Sequence, residues 1–175
     1  RLRPARRTVR TALIRPDLVD VWIFREAAGS PPIELLLLRR APGRILAGLW
    51  QCVSGSLEPG ERVVAGALRE LREETGFGPG HLEALFDLDQ VNQFHEPSVD
   101  AILVAAIFAV RVRPGLEPVM SHEHDALQWL SPEAALELAV WPAYRESIRR
   151  IQEDLLEPDR AAWFQLDPAG QRPVR

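Results

Sequence analysis

Between Gly55 and Phe77 the chain carries an arrangement that few folds accommodate: a glycine-bearing turn, a helical repeat with three glutamates in one turn, then another glycine. The apolar residues Val64, Ala67, Leu68 and Leu71 recur at helical spacing and Gly76 stands where a C-terminal cap belongs, so the pattern predicts a helix over about 61–75. On that helix Glu70, Glu73 and Glu74 fall at i, i+3 and i+4, which puts their carboxylates on one hydrated face. Each like-charge pair costs roughly 0.2–0.5 kcal/mol on an isolated helix. A solvated face laced by ion pairs, Arg69 to Glu73 among them, tolerates that cost; a bound cation removes it. Oxygen-only ligands at this density suit Mg²⁺, with Mn²⁺ as a substitute, because these ions bind through a few carboxylates and keep positions for water and phosphate. Gly66, one turn before Glu70, is expected on the same face, leaving room for a phosphate or hydrated metal at a helix-propensity cost of about 1 kcal/mol relative to Ala.

Around this helix the pattern alternates strand and turn. Residues 8–14, 19–24 and 33–39 read as strands, the last two joined by the hairpin-type turn Gly29-Ser30-Pro31-Pro32. Leu35 to Leu38 lack alternation, as a strand covered on both faces would. A short apolar strand is expected over 49–53, further strands over 84–91, 99–112 and 126–130, and helices over 132–140 and 144–156 that pack on the sheet. With 175 residues and 46% hydrophobic content, one domain over 1–175 is expected, its core at about 8–157 and its Pro-rich tail, 158–175, only partly ordered.

A net charge of −4 gives no global attraction to nucleic acid or anionic membranes, so phosphate recognition has to be local, and a nucleic-acid partner is not expected. The basic opening, Arg1 to Arg10, reads as a solvated lead-in to the first strand. The apolar run over 99–110 is interrupted by Asp100 and too short to cross a bilayer. Cys52 is the lone cysteine, which excludes an intrachain disulfide and a multi-cysteine zinc site and fits a reducing, cytoplasmic setting.

The segment from Gly55 resembles the signature of the Nudix hydrolases, G-x5-E-x7-R-E-U-x-E-E-x-G-U, in which U is a bulky apolar residue. Gly55, Glu61, Arg69, Glu70, Leu71, Glu73, Glu74, Gly76 and Phe77 fill every fixed position. From average residue usage, a chance match at a given start is on the order of one in a billion. The resemblance implies an α/β/α sandwich with a mixed β-sheet and a catalytic loop-helix-loop. It also implies roles. Glu70 and Glu74, helped by Glu73 and the Gly55 carbonyl, hold Mg²⁺; Arg69 orients the glutamates; Glu61 supports the loop by ion pairing. Outside the signature, Leu38-Arg39-Arg40, Leu49 to Ser56, Glu123-His124 and Gln128-Trp129-Leu130 are similar to the branch containing dATP and dihydroneopterin triphosphate pyrophosphohydrolases.

That branch implies a small nucleotide-like substrate cut to a monophosphate and pyrophosphate, with homodimers common among relatives. Dinucleoside polyphosphates, sugar nucleotides or capped RNA are the alternative substrates, and a non-catalytic nucleotide sensor is the alternative of another class. The family supplies its base from different places, and the loop Ser121-His122-Glu123-His124 makes Glu123 the candidate for general base or further metal ligand, against an ordinary loop carboxylate. His122 and His124 are assigned to the surface or to the surroundings of the ligands, since Mg²⁺ prefers oxygen. Arg39 is a candidate phosphate clamp, Ser54 a phosphate donor and Trp50 a pocket wall. Asn92 and Phe94 lie in a segment, 92–97, expected to link two strands, either reading a base by amide and ring or serving as a plain loop.

Overall fold

The fold is organised on β1 (Leu18–Glu26), whose residues alternate between two buried clusters: Val19, Val21 and Ile23 face one way, Trp22 and Phe24 the other. The computed structural model describes residues 14–27 and 32–174. The expected strand over 8–14 and the basic opening fall on residues outside those described, except Ile14, which is in no strand; so do Gly29, Ser30 and Pro31 of the hairpin turn. The hairpin pairing is nonetheless present, because β2 (Ile33–Arg40) lies antiparallel to β1 with Glu26 opposite Ile33.

Next come β3 (Trp50–Gln51), β4 (Val53–Ser56), α1 (Val63–Thr75), a 3₁₀ turn (Pro79–His81), β5 (Leu82–Glu96), β6 (Ala101–Val112) and β7 (His124–Leu130). Then α2 (Pro132–Leu138), α3 (Pro142–Asp154), α4 (Pro158–Ala161) and β8 (Gln165–Leu166) complete the described chain. The eight strands form one mixed sheet in the order β3-β2-β1-β6-β5-β8, with β4 beside β1 and β7 beside β2; β1 and β6 are parallel and the other pairs antiparallel.

One face packs Ala67 and Leu71 of α1 against Val19, Val21, Leu36, Leu38 and Val110. The other packs Ala135 of α2 and Tyr144, Ile148 and Ile151 of α3 against Trp22, Phe24, Leu35, Leu37 and Ile107. Leu35 to Leu38 are therefore covered on both faces, as their unbroken apolar run requires.

Several boundaries differ from expectation. The single short strand over 49–53 is two: β3 pairs with the end of β2, the ladder breaks at Cys52, and β4 pairs with the start of β1. This wedge enters where β1 and β2 diverge, and it delivers Gly55 to the α1 side. Helix α1 begins at Val63, two residues late, because the Glu58–Glu61 turn, held by Glu61 N–H donating to the Glu58 carbonyl, occupies the start. The expected loop at 92–97 is strand: β5 runs on to Glu96, with a register shift between Asp87 and Val91, and the reversal to β6 comes at 97–100, where Asp100 takes φ 48°. β6 accordingly starts at Ala101 rather than 99, and β7 starts at His124, two residues early. Helix α2 ends at Leu138, short of 140, and α3 opens on Pro142, where proline fits the first turn. Part of the tail is ordered onto the sheet through β8, where Leu166 pairs with Leu85.

Candidate active site

Helix α1 leaves β4 and the turn after it in such a way that its carboxylates return to the strand they came from. At Gly55 an added Cβ would sit 2.0 Å from Cδ of Glu70, so this close approach is open to glycine alone. The Glu74 side chain turns into the protein and is only 4% exposed. The backbone N–H of Ser54 reaches toward its Oε1 at 3.4 Å, while Oε2 is buried without a hydrogen-bond partner. Glu73, by contrast, points outward with half its side chain exposed. The expectation of one hydrated face therefore holds for Glu73 but not for Glu74, because the i+4 position rotates under the β4 loop while i+3 stays on the flank.

Arg69 ties the arrangement together. Its guanidinium donates to both oxygens of Glu61 at 3.0 Å, to Oε1 of Glu70 at 2.6 Å, to Oε2 of Glu73 at 3.1 Å and to the carbonyl of Ser56 at 2.9 Å. Its planar fork makes this possible; a lysine ammonium could not span so many acceptors. The charges respond accordingly. Hydrogen bonds from Arg69 hold the Glu61 carboxyl down near 2. Burial pushes Glu74 up to about 8, and the neighbouring Glu70 charge pushes it further in the same direction, followed by Glu123. Burial also raises Glu70, against the opposing hydrogen bond from Arg69.

Two carboxylates raised by burial, Glu74 further by the charge of Glu70, and one of them with an unsatisfied oxygen, describe a place short of positive charge. Among the described residues no three acid, histidine or cysteine side chains already close around one point. A closed cage is what Ca²⁺ or zinc would need, whereas Mg²⁺ is satisfied by one or two carboxylates and its own waters, so Glu70 and Glu74 fit a hard divalent ion.

Gly66 departs from expectation. A Cβ there would lie 2.3 Å from Cδ2 of Leu57 and 2.9 Å from Oε2 of Glu61, so its missing side chain admits the turn after β4 rather than a phosphate or metal.

The other predicted residues divide into two groups. Arg39 at the end of β2 donates to both oxygens of Asp125 at 2.7 and 3.2 Å, and its guanidinium lies 5.7 Å from the Trp50 ring. It is thus engaged by a carboxylate rather than presented free. Glu123 is near Glu70 and Glu74 electrostatically and pairs at 3.4 Å with Arg44 of the 41–49 loop. Trp50, Ser54, Asn92 and Phe94 belong to the sheet face away from α1, the face that Arg39 shares with Trp50, its partner in the ladder. Trp50 packs on the cluster that includes Cys52, Asn92 is opposite Ala105 of that cluster, and Phe94 follows two residues on.

One residue was missed, and one was placed only broadly. His124, assigned to the surface or to the surroundings of the ligands, takes the second place: it is buried, its Nε2 3.7 Å from Glu74 Oε2 and 3.5 Å from Gln51 Nε2, because β7 begins early enough to pair it with Arg40. The missed residue, Asp20, lies buried in β1 opposite Ser54 in the ladder and beside Asn92, and burial lifts its carboxyl to about 6. The break in apolar alternation at Leu18-Val19-Asp20-Val21 was the only sign of it.

The geometry agrees with a family match. A model of the NUDIX domain covers residues 15–151. The chain belongs to the Nudix hydrolase family. Among Nudix relatives, the CTP pyrophosphohydrolase of Escherichia coli is 34% identical over 110 residues, 63% of this chain and 76% of that protein. An asymmetrical bis(5′-nucleosyl)-tetraphosphatase of Mus musculus is 32% identical over 127 residues, 69% and 78% of the two chains. An octanoyltransferase of Myxococcus xanthus is 35% identical over 137 residues, 77% of this chain, and this chain spans only 37% of that protein's length. Among solved structures, a Caenorhabditis elegans Ap4A hydrolase complex superposes with a TM-score of 0.66 at 22% identity, covering 79% of this chain and 96% of that one. The E. coli dihydroneopterin triphosphate pyrophosphohydrolase gives 0.62 at 24% identity with the same coverage, 79% and 96%. These superpositions establish the Nudix fold, a mixed sheet between helical layers. Nudix hydrolases generally use divalent metal ions, and no described helix is long and apolar enough to cross a membrane.

Proposed function

We propose that the chain is a Mg²⁺-dependent pyrophosphohydrolase that cuts a nucleoside-triphosphate-like substrate, of the dATP or dihydroneopterin triphosphate class, to a monophosphate and pyrophosphate. The observation that carries this reading is Glu70 set against Gly55 beside a buried Glu74 with a free oxygen: a hard oxygen-donor face short of a cation. The similarity to a CTP pyrophosphohydrolase adds cytidine triphosphate to the class. Glu70 and Glu74, with Glu73 and the Gly55 carbonyl as further oxygen donors, would hold the ion. When bound, it supplies positive charge to the phosphate oxygens and acidifies the attacking water. Arg69 holds Glu70 and Glu73 in place and is itself fixed by Glu61. Glu123, partly exposed and paired only loosely with Arg44, is the group free to take the water's proton as it attacks phosphorus. Glu123→Gln is expected to cut kcat by about 10²–10⁴-fold.

A second reading, cleavage of a dinucleoside polyphosphate, is favoured by the 32% identity to the tetraphosphatase. Chromatography of products after incubation with Mg²⁺ and dATP, CTP, dihydroneopterin triphosphate or diadenosine tetraphosphate separates the two. A monophosphate plus pyrophosphate from a triphosphate supports the first reading, and selective cleavage of the dinucleotide supports the second. Binding without cleavage of any member would replace both with a nucleotide sensor.

A further inference from the structure

Asp20 is an unusual residue to find in the middle of a central strand. It falls on the face shared with Trp22 and Phe24, 5% exposed, close to Cys52 and Tyr144, where an apolar side chain would cost less to bury. The polar groups beside it, Ser54 across the ladder and Asn92, are neutral.

The polarity of the surrounding network follows from its fixed members. The Ala143 carbonyl can only accept, so the Gln90 atom 3.1 Å from it is the amide nitrogen. That nitrogen also donates to Asn92 at 2.9 Å, which makes the Asn92 atom there its oxygen and turns the Asn92 NH₂ group toward Asp20. Ser147 Oγ lies 3.0 Å from the Gln90 oxygen and 3.0 Å from the Ala143 carbonyl, and its single proton can serve either acceptor. A relay from α3 through β5 thus ends on the Asp20 carboxyl.

Ser54 connects this carboxyl to the metal-binding side. Its side chain shares the face of Asp20, its partner in the ladder, while its backbone N–H faces Glu74, and the next residue is Gly55. A nucleotide whose phosphates meet Glu70 and Glu74 would bring its base round the other side of the same short strand. Phe94, 41% exposed and two residues beyond Asn92 on that face, offers a ring on which a base can stack.

We propose that Asp20 is the specificity-determining residue of the base pocket, reading with Asn92 and Ser54 the edge of a base that carries an exocyclic amino group. The inference deepens the function proposed above and rests on it. Cytosine, adenine and pterins present an amino donor to a carboxyl, with an adjacent ring acceptor for an amide or hydroxyl donor. Uracil presents a carbonyl in the same position, acceptor against acceptor, and is rejected.

The test is calorimetric titration of CMP and UMP, with Mg²⁺, into the wild type, Asp20→Asn and Asn92→Leu, alongside turnover of CTP. The wild type is expected to bind CMP at least about tenfold more tightly than UMP, and both variants to bring that ratio to about threefold or less. A wild type that does not discriminate, or a folded Asp20→Asn protein that keeps the wild-type ratio, overturns the proposal. Circular dichroism establishes folding, and Asn92→Leu, which removes the relay but not the carboxyl, decides the matter if Asp20→Asn does not fold. Discrimination that depends on Asp20 without CTP turnover would instead count against the proposed reaction and leave the pocket standing.

Discussion

Gly55→Ala is the substitution on which the geometry speaks most sharply. The new Cβ would lie 2.0 Å from Cδ of Glu70 and 2.3 Å from each of its oxygens, where carbon atoms need about 3.5–4 Å. Glu70 must therefore withdraw by about 1.5–2 Å, since the methyl group is anchored on a paired strand opposite Val19. Its bond to Arg69, at 2.6 Å, has to stretch or break in the process. A misplacement of about 1 Å in a catalytic arrangement costs about 100-fold, so kcat should fall by at least that factor. The Glu70 side chain is partly rather than fully buried, and Gly55 does not need a left-handed conformation, so the melting temperature should shift by only a few degrees. Initial rates over a Mg²⁺ series, with thermal melts on the same preparations, measure both quantities. A variant that keeps kcat within threefold of wild type would refute the placement of Glu70 against Gly55. One that fails to fold would refute the argument that the contact serves the site rather than the core.

Stability of the metal-free protein should depend on pH through Glu74. Its carboxyl titrates near 8 in the folded protein against an ordinary 4.5, so its contribution is fully present below about 4.5 and lost as pH rises through 8, by roughly 1.4 kcal/mol per pH unit across that window. Melts from pH 5 to 9 should show that loss, Mg²⁺ should reverse it above pH 7, and Glu74→Gln should flatten the curve while abolishing turnover; a curve equally steep in Glu74→Gln would assign the dependence elsewhere. Arg69→Lys should lower the denaturation free energy by about 1–3 kcal/mol and turnover with it, because an ammonium cannot reach Glu61, Glu70, Glu73 and Ser56 together; unchanged urea melts would refute this. Gly66→Ala gains about 1 kcal/mol in helix propensity but forces Leu57 aside, so a net destabilisation of about 0–2 kcal/mol is expected, and a clear gain in stability would show that the turn after β4 yields easily.

The Nudix helix and its glutamates were legible in the sequence because a period of 3.6 and a strict spacing both survive in one dimension. The double burial of Leu35 to Leu38 was legible for the same reason. The short ladders were not, since the break at Cys52 is decided by which strand lies beside it, β2 or β1, and nothing local encodes that choice. Segment 92–97 looked like a loop because its polar residues lie on an arm of β5 and β6 beyond the cover of the helices, where a strand has no apolar face to reveal it. Glu74 and Glu73 are indistinguishable by type, yet one is buried and the other half exposed, since the β4 loop covers only one side of α1. Asp20 escaped notice, and His124 was left between the surface and the site, because a single polar residue in a strand shows its partners only when the sheet is assembled.

The most direct measurement is ³¹P NMR of CTP and dATP incubated with the protein in Mg²⁺, then with excess EDTA, and repeated with Glu74→Gln. Growth of a pyrophosphate resonance with the wild type in Mg²⁺, and none after chelation or with the variant, is the predicted result. Release of orthophosphate as the primary product, or undiminished cleavage in EDTA or by Glu74→Gln, would contradict it.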